Sequence, residues 1–165
     1  MKKIASILVM ICISLTINAQ KCKFDYEKKD PFTGKLTSGI TATLARPWKI
    51  GFNKAGDNYS IGLFTNFAGA KEDIINEGDT LMFALENGNP IILVASDKAL
   101  PTSDVIGSQI QTWYRPLYIA DVEQIRQLSL NKIIAVKIYL GTWYSLEIPL
   151  VNAQKIMQAA SCILK

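Results

Sequence analysis

The feature that most constrains the fold of this chain is the alternation of apolar and polar residues over much of its length. Trp48, Ile50 and Phe52 alternate with polar or small residues, and the same period of two recurs over residues 81–85 and 134–140. Successive side chains of a β-strand point to opposite faces, so this period predicts half-buried strands. Turn residues separate these segments, which predicts a largely antiparallel sheet of consecutive hairpins.

Two hairpins can be predicted to the level of register. An Asn-Gly pair at residues 87–88 favours a two-residue turn, which sets Phe83 opposite Ile92. In the last hairpin a loop of three residues, 141–143, sets Ile138 against Leu146 and keeps apolar residues facing each other. The same register predicts that Trp143 sits at an exposed loop tip.

Two helices complete the predicted fold. Asp121 is placed to cap the first helix, with Gln124 reaching back in a capping box. Asn152 is predicted to cap a C-terminal helix that runs to about Leu164. Residues 97–111 form the one long segment that reads as irregular. The prediction is an α+β fold: a mainly antiparallel β-sheet of about eight strands in successive hairpins, with a short helix and a C-terminal helix packed on it.

The first 19 residues have the pattern of a signal peptide. Lys2 and Lys3 precede an apolar stretch, residues 4–17, that is too short for a comfortable membrane span, and Ala19 is a small residue at a plausible cleavage position. The alternatives are an N-terminal membrane anchor and a lipidated Cys22, but the lysine directly before this cysteine does not fit a lipoprotein signal. We therefore predict a signal peptide over 1–19 and a single exported domain over 20–165.

Charge and hydropathy restrict the partners of the mature chain. Cleavage removes Lys2 and Lys3 from the 18 basic residues, so 16 remain against 14 acidic ones. The basic residues are scattered rather than gathered in a stripe, so we expect no nucleic-acid partner. No long apolar run follows residue 19, so we expect no membrane span in the mature chain.

Two of the three cysteines remain after cleavage, because Cys12 lies inside the signal peptide. An even number of cysteines in an oxidising compartment favours pairing, so we predict a disulfide between Cys22 and Cys162. The alternative is two unpaired thiols. The helical periodicity turns Cys162 away from the apolar stripe, so the bridge requires the N-terminal strand to pass over that side of the helix.

The sequence carries no convincing catalytic motif. It lacks histidine, which excludes Ser-His-Asp and Cys-His catalysis and histidine metal sites. Ser129 and Lys132 match the spacing of serine–lysine enzymes, but the serine falls at the end of a predicted helix rather than at its start. The acidic residues over 72–79 lack the spacing of a calcium loop, so we interpret them as a solvated connector. No catalytic residue, metal or cofactor is assigned.

Aromatic residues supply the candidate contacts. Trp113, Tyr114 and Arg115 lie beside the long irregular segment, and Trp143 is predicted at a loop tip. Exposed tryptophan and tyrosine stack on sugar rings or anchor protein interfaces, so these four residues are candidates for contact with an unknown protein or glycan. The competing interpretation is that these aromatic side chains belong to the core.

Three stretches resemble small exported proteins of unknown function from Bacteroidota: CKFDYEKKDPFTGK (22–35), INEGDTLMFALENGNPIIL (75–93) and YIADVEQIRQLSLNKIIAVKIY (118–139). The resemblance implies an α+β fold and export to the periplasm, the outer surface or the medium. We expect a non-enzymatic binding or envelope-associated protein. The alternatives are a small hydrolase or carbohydrate-active enzyme that uses carboxylates, and a structural partner with an apolar edge or face awaiting another chain.

Overall fold

The computed structural model describes residues 22–165, and the predicted signal peptide, 1–19, lies outside the described residues. Within this range the chain forms eleven strands and two helices. In chain order they are β1 (Tyr26–Lys29), β2 (Leu36–Ala45), β3 (Trp48–Ala55), β4 (Asn58–Ala68), β5 (Thr80–Leu85), β6 (Ile91–Ala95), β7 (Thr102–Ile106), β8 (Gln109–Tyr114), β9 (Leu117–Ala120), α1 (Val122–Leu130), β10 (Ile133–Leu140), β11 (Thr142–Glu147) and α2 (Leu150–Ile163).

Nine strands form one sheet in the order β1-β2-β3-β4-β9-β6-β5-β10-β11, and neighbours pair antiparallel throughout. The sheet curls into a half-barrel. Helix α2 packs against β2, β3 and β10, and α1 packs against α2. The prediction of an antiparallel α+β fold with a short helix and a C-terminal helix is confirmed at this level, with more strands than the eight we expected.

On the side away from β3, strand β4 belongs to two ladders. Its first half pairs with β9, from Tyr59↔Ala120 to Gly62↔Leu117. Its last four residues pair instead with β8, which carries β7 on its far side. The prediction of a long irregular segment over 97–111 is therefore wrong, because these residues contain most of a hairpin with its turn at Gly107. Both strands of this hairpin are polar and exposed along much of their length, so no apolar alternation marks them in the sequence.

The two predicted registers are both wrong, by small shifts. Phe83 pairs with Ile91 rather than with Ile92. This register buries Ile91, which is 6% exposed, and leaves Ile92 48% exposed. The loop lengthens from the two predicted residues to three, 86–88, and the Gly88 N–H donates to the Leu85 carbonyl at 3.0 Å. Burial of the apolar face therefore decides the register, and the turn accommodates it.

In the last hairpin Ile138 pairs with Tyr144, two residues from the predicted partner. The tip is Gly141, whose φ of 62° lies in the left-handed region that favours glycine. Trp143 is 43% exposed, which confirms its predicted exposure, but it lies within β11 rather than at the loop tip. A tighter turn still pairs apolar residues with apolar residues, which is why the pattern alone did not distinguish the two registers.

The first helix begins as predicted and the second does not. The Asp121 carboxylate accepts from the Gln124 N–H at 2.7 Å, and the Gln124 side chain accepts from the Asp121 N–H at 2.9 Å, which completes the capping box. The second helix begins at Leu150, with Pro149 at its N-cap. Asn152, the predicted cap, instead donates its side-chain N–H to the Leu44 carbonyl of β2 at 2.9 Å.

One core lies between the helices and the sheet. It is filled by large side chains from most strands and by the inward faces of both helices; the fully covered ones include Leu44, Phe52, Ile61, Phe83, Tyr118, Ile125, Leu128, Ile138 and Ile156. Apolar side chains of this size each contribute about 1.5–3 kcal/mol when they leave water, so the core is the main stabilising element.

The predicted disulfide between Cys22 and Cys162 is present, with Cα atoms 5.5 Å apart across a sequence separation of 140 residues. Cys162 is 3% exposed, because the bridge brings the segment that carries Cys22 over this side of the helix, as the prediction required. The segment that leads into β1 covers this side of α2, and its Phe24 packs against the core. The bridge thus fixes the first described residue to the last turn of the last helix.

Candidate functional site

The predicted contact residues Trp113 and Arg115 lie where the chain changes ladders. Strand β8 ends at Tyr114, and β9 begins at Leu117 on the other half of β4. The connection is held by the Leu63 N–H, which donates to the Pro116 carbonyl at 3.0 Å. Alternation along this stretch puts Trp113 and Arg115 on one face and Tyr114 on the other.

The main groove is a concavity of about 670 Å³ beside these residues. One wall is the segment that leads into β7, and the other is the β7–β8 hairpin with the turn into β9. The residues that line it are Asp97, Lys98, Ala99, Leu100, Thr102, Asp104, Trp113, Arg115, Pro116 and Leu117. A concavity of this size is typical of sites that hold a small ligand or a short segment of a larger one.

A smaller hollow of about 340 Å³ continues on the far side of Trp113 and Arg115. Its other residues come from β2, β3, β4, the connection before β3 and Tyr114, and they are Thr41, Pro47, Lys49, Phe64, Thr65, Asn66 and Tyr114. Phe64 is 40% exposed here and adds an aromatic surface. Trp113 and Arg115 therefore form a ridge with a hollow on each side.

The main groove combines both signs of charge with one aromatic ring. Asp97 and Asp104 supply carboxylates, and Lys98 and Arg115 supply cations. Asp97 also accepts a hydrogen bond from the Ser96 hydroxyl at 3.1 Å, which orients its carboxylate. Such a lining can hold a polar ligand by paired hydrogen bonds while the indole of Trp113 covers an apolar face.

Tyr114 is 1% exposed, so it positions the ridge rather than presenting itself to a ligand in the main groove. Its hydroxyl donates to the Asp73 carbonyl at 2.9 Å. Burial raises the pKa of Tyr114, with smaller contributions from Asp73 and Tyr144. The phenol therefore stays protonated at neutral pH and serves as a structural donor.

The hydroxyl of Tyr118 is also buried, and burial raises its pKa, with a smaller contribution from the charge of Asp79. This hydroxyl and that of Thr65 have no hydrogen-bond partner among the described residues. Neither supplies acid–base chemistry at neutral pH, since a tyrosine with a raised pKa and a threonine both keep their protons.

Trp143 lines neither the main groove nor the smaller hollow. It lies on the outer face of the β10–β11 hairpin, where its ring meets that of Tyr139 edge to face at 5.3 Å between centroids. The Lys137 ammonium lies 4.7 Å from the centroid of the indole, within reach of a cation–π contact. The structure thus brings two of the four predicted contact residues, Trp113 and Arg115, together in the ridge. Tyr114 is buried beneath them, and Trp143 lies elsewhere, against Tyr139.

Sequence reasoning identified Arg115 but missed the other three charged residues of the main groove. Asp97, Lys98 and Asp104 fall in the segment that was predicted to be irregular. The Gly107-Ser108 pair between Val105-Ile106 and Gln109-Ile110 was the one signal of a hairpin there, because glycine before serine is a frequent two-residue turn. A hairpin would have placed Asp104 beside Trp113, since Thr102 pairs with Trp113 in the observed register.

Ser129 and Lys132 do not form a catalytic pair. Ser129 donates to the Arg126 carbonyl at 2.7 Å in the last turn of α1, and the Lys132 ammonium pairs with Glu86 at 2.9 Å. The predicted helix end leading into a strand is confirmed. In the acidic connector, Asp79 accepts from the Asn76 N–H at 2.7 Å, and no cluster of three or more potential metal ligands occurs within residues 22–165.

Comparison with known proteins gives no assignment: no protein-family model, curated protein or solved structure matches the chain. Within the described range, neither helix has both the length and the apolar character needed to cross a bilayer.

Proposed function

We propose that this protein is an exported, non-enzymatic binding module whose ligand occupies the main groove and contacts the ridge of Trp113 and Arg115. The observation that carries the proposal is that these two residues border both hollows, so one ligand can lie against the ridge and extend to either side. Tryptophan and arginine are enriched among the residues that contribute most of the binding energy at interfaces.

Export rests on the signal-peptide pattern of residues 1–19 and on the resemblance to exported proteins of Bacteroidota. The disulfide between Cys22 and Cys162 supports it, because such bonds persist in oxidising compartments. An envelope-associated role follows for a chain that leaves the cytoplasm with a binding groove and no assigned chemistry.

The test compares two tryptophan variants. Trp113→Ala removes the aromatic part of the ridge, and Trp143→Ala is the control, because this residue is the more exposed tryptophan of the two and lies outside both hollows. The wild-type protein is screened against immobilised soluble glycans and a random peptide library, and the affinity of each captured ligand is then measured for both variants. We expect Trp113→Ala to weaken binding about 30-fold or more, as for a central aromatic contact, and Trp143→Ala to leave it unchanged. Equal losses in both variants would overturn the proposal.

A second candidate, a carboxylate-dependent hydrolase, has one specific observation in its favour. Asp97 and Asp104 both line the main groove. Two carboxylates across a bound sugar are the usual machinery of glycoside hydrolysis. The test is release of reducing ends from the screened glycans, with the double variant Asp97→Asn/Asp104→Asn as the control. Hydrolysis by the wild-type protein that this variant lacks would replace the non-enzymatic proposal.

A further inference from the structure

Strand β7 is an open sheet edge. It pairs with β8, and within the part of the chain that the structure describes no strand pairs with its other side. All five of its residues are exposed, with Val105 at 71% and Ile106 at 59%. An edge of this kind presents backbone donors and acceptors that are satisfied by an added strand.

The pairing pattern identifies which backbone groups face outward. Ile106 and Gln109 flank the two-residue turn, so they form a hydrogen-bonded pair. Alternation then places Ser103 and Val105 in non-hydrogen-bonded pairs with β8. The N–H and C=O groups of these two residues therefore point away from β8, toward an empty strand position.

The edge has few of the features that block strand addition, since Asp104 is its single charge. Its sequence, TSDVI, contains no lysine, arginine or proline, and its register with β8 runs without a bulge. Its side chains alternate between two environments. Thr102 and Asp104 line the main groove, and Val105 points to the opposite face.

We propose that the ligand of the main groove is an extended polypeptide segment that adds to β7 as an antiparallel strand; this inference rests on the proposed binding function of the groove. The unpaired backbone groups of Ser103 and Val105 hold the segment, and its side chains on one face enter the groove beside Trp113. This mode of recognition draws affinity from the main chain and specificity from alternate side chains.

The side chains of β7 define the chemistry of the segment. The residue opposite Asp104 falls in a non-hydrogen-bonded pair, where side chains lie closest, so a lysine or arginine is favoured there. The residue opposite Val105 points to the other face and packs on an exposed apolar side chain, so a β-branched or aromatic residue is favoured. The preferred segment therefore places a basic residue next to an apolar one.

A second copy of this chain fits the edge less well. An antiparallel pair of β7 strands that overlaps over the full strand sets Asp104 against Asp104 at the closest spacing, which is unfavourable for like charges. Shifting the pair toward the start of the strand brings in Pro101, which has no N–H to donate. A foreign segment with a basic residue avoids both problems.

The experiment pans a phage-displayed library of random decapeptides against the disulfide-bonded protein. Synthetic versions of the selected peptides are then titrated by fluorescence anisotropy against wild type and four variants. Val105→Pro removes an outward N–H at an edge position where proline is tolerated, and Val105→Thr keeps both the N–H and the branched shape. Asp104→Lys reverses the charge, and Trp113→Ala tests the groove.

We expect selected peptides with a basic residue beside an apolar one, and a loss of about tenfold or more for Val105→Pro against a change within about threefold for Val105→Thr. Asp104→Lys should favour peptides in which an acidic residue replaces the basic one. If Val105→Pro fails to fold, by circular dichroism, the same comparison is made with peptides N-methylated at the amide opposite Val105, which should weaken binding to wild type by a similar factor.

The outcomes separate the two proposals. Peptides that bind Val105→Pro as tightly as wild type but lose binding to Trp113→Ala would overturn strand addition and leave the groove as a binding site. Sensitivity to Val105→Pro without sensitivity to Trp113→Ala would support strand addition and overturn the groove. Recovery of no binding peptides, or association of the protein with itself through β7 in sedimentation experiments, would overturn the peptide as the occupant.

Discussion

Two edge strands of this molecule, β1 and β7, differ in how well their exposed side is protected against pairing with another strand. Both are short, exposed and paired on one side. Strand β1 carries Glu27, Lys28 and Lys29 and follows Cys22, which is bonded to α2. Strand β7 carries a single charge, Asp104, and exposes apolar side chains. The difference indicates that one edge is closed to further pairing while the other is available for it.

The two edges also differ in how they are held. The turn before β2 is organised by the Asp30 carboxylate, which accepts from the N–H groups of Phe32 and Thr33 at 2.8 and 3.2 Å. The β7–β8 hairpin is attached to the segment after β4 by Thr112 of β8, whose hydroxyl donates to the Gly69 carbonyl at 2.8 Å. One edge therefore depends on a covalent bond and a titratable group, and the other on partly buried hydrogen bonds between neutral groups.

The largest expected effect is loss of the disulfide at the first edge. The double variant Cys22→Ala/Cys162→Ala should lower the free energy of unfolding by up to about 5 kcal/mol, because the closed loop spans most of the chain. Denaturant unfolding monitored by circular dichroism measures this loss, with reduced wild type as the second arm. If both forms unfold at the same denaturant concentration as the oxidised protein, the bridge does not stabilise the fold.

A smaller loss is expected at the second edge from Thr112→Val. The Thr112 hydroxyl also accepts from the Lys71 N–H at 3.2 Å and lies 2.8 Å from the Ser103 hydroxyl. The valine removes the hydroxyl that pairs with the Gly69 carbonyl and the Lys71 N–H, so the free energy of unfolding should fall by about 1–3 kcal/mol for the two hydrogen bonds together. The exposed Thr142→Val is the control and should stay within about 0.5 kcal/mol. A loss at Thr112 no larger than the control would show that these bonds are replaced by water.

Exchanging the surface character of the edges should change association more than stability. Lys28→Val/Lys29→Val gives β1 the apolar character of β7, and we expect concentration-dependent self-association that wild type lacks. The free energy of unfolding should change by less than about 0.5 kcal/mol. Sedimentation velocity at several protein concentrations measures the association. A monomeric double variant would show that β1 is closed by its geometry rather than by its lysines.

The smallest effect is an acid sensitivity confined to the first edge. Hydrogen bonds from the Phe32 backbone, and then from Thr33, lower the pKa of Asp30 below its usual value. A lowered pKa in the folded state means that the stabilisation is complete above the ordinary pKa and is lost as pH falls through the folded one. A carbon-detected NMR titration should show the low pKa directly. Asp30→Asn should abolish the pH dependence of the Phe32 amide shift, and a variant that keeps this dependence would show that another group causes it.

The parts of the fold that the sequence predicted correctly are those in which burial and local chemistry agree. The α1 capping box needs residues three apart, and its partners are Asp121 and Gln124. The strand around Phe52 combines alternation with β-branched and aromatic neighbours. The disulfide followed from cysteine count and compartment, because distance along the chain does not oppose pairing once the ends are folded together.

The predictions that were wrong concern features that depend on contacts between segments far apart in the sequence. Either register of the last hairpin keeps apolar side chains on one face, so its choice depends on β5, which pairs Leu81 with Ile138. Strand β7 has no apolar face to reveal it, because both of its faces are exposed. Only part of the main groove was predicted. Trp113 and Arg115 were identified by residue type, whereas Asp104 reaches them through the β7–β8 hairpin, which the periodicity of the sequence does not indicate.

Strand β4 runs without interruption for 11 residues and pairs with β8 as well as with β9 of the main sheet. It therefore also determines how mechanical load would pass through the molecule. A segment bound along β7 and pulled parallel to the strands would load its hydrogen bonds together in shear, because ladder bonds lie perpendicular to the strands. The tension would pass through β8 into β4 and from there into the centre of the main sheet. The same segment pulled outward would peel away one bond at a time. Attachment at this edge would therefore resist traction along the groove and release readily when lifted from it.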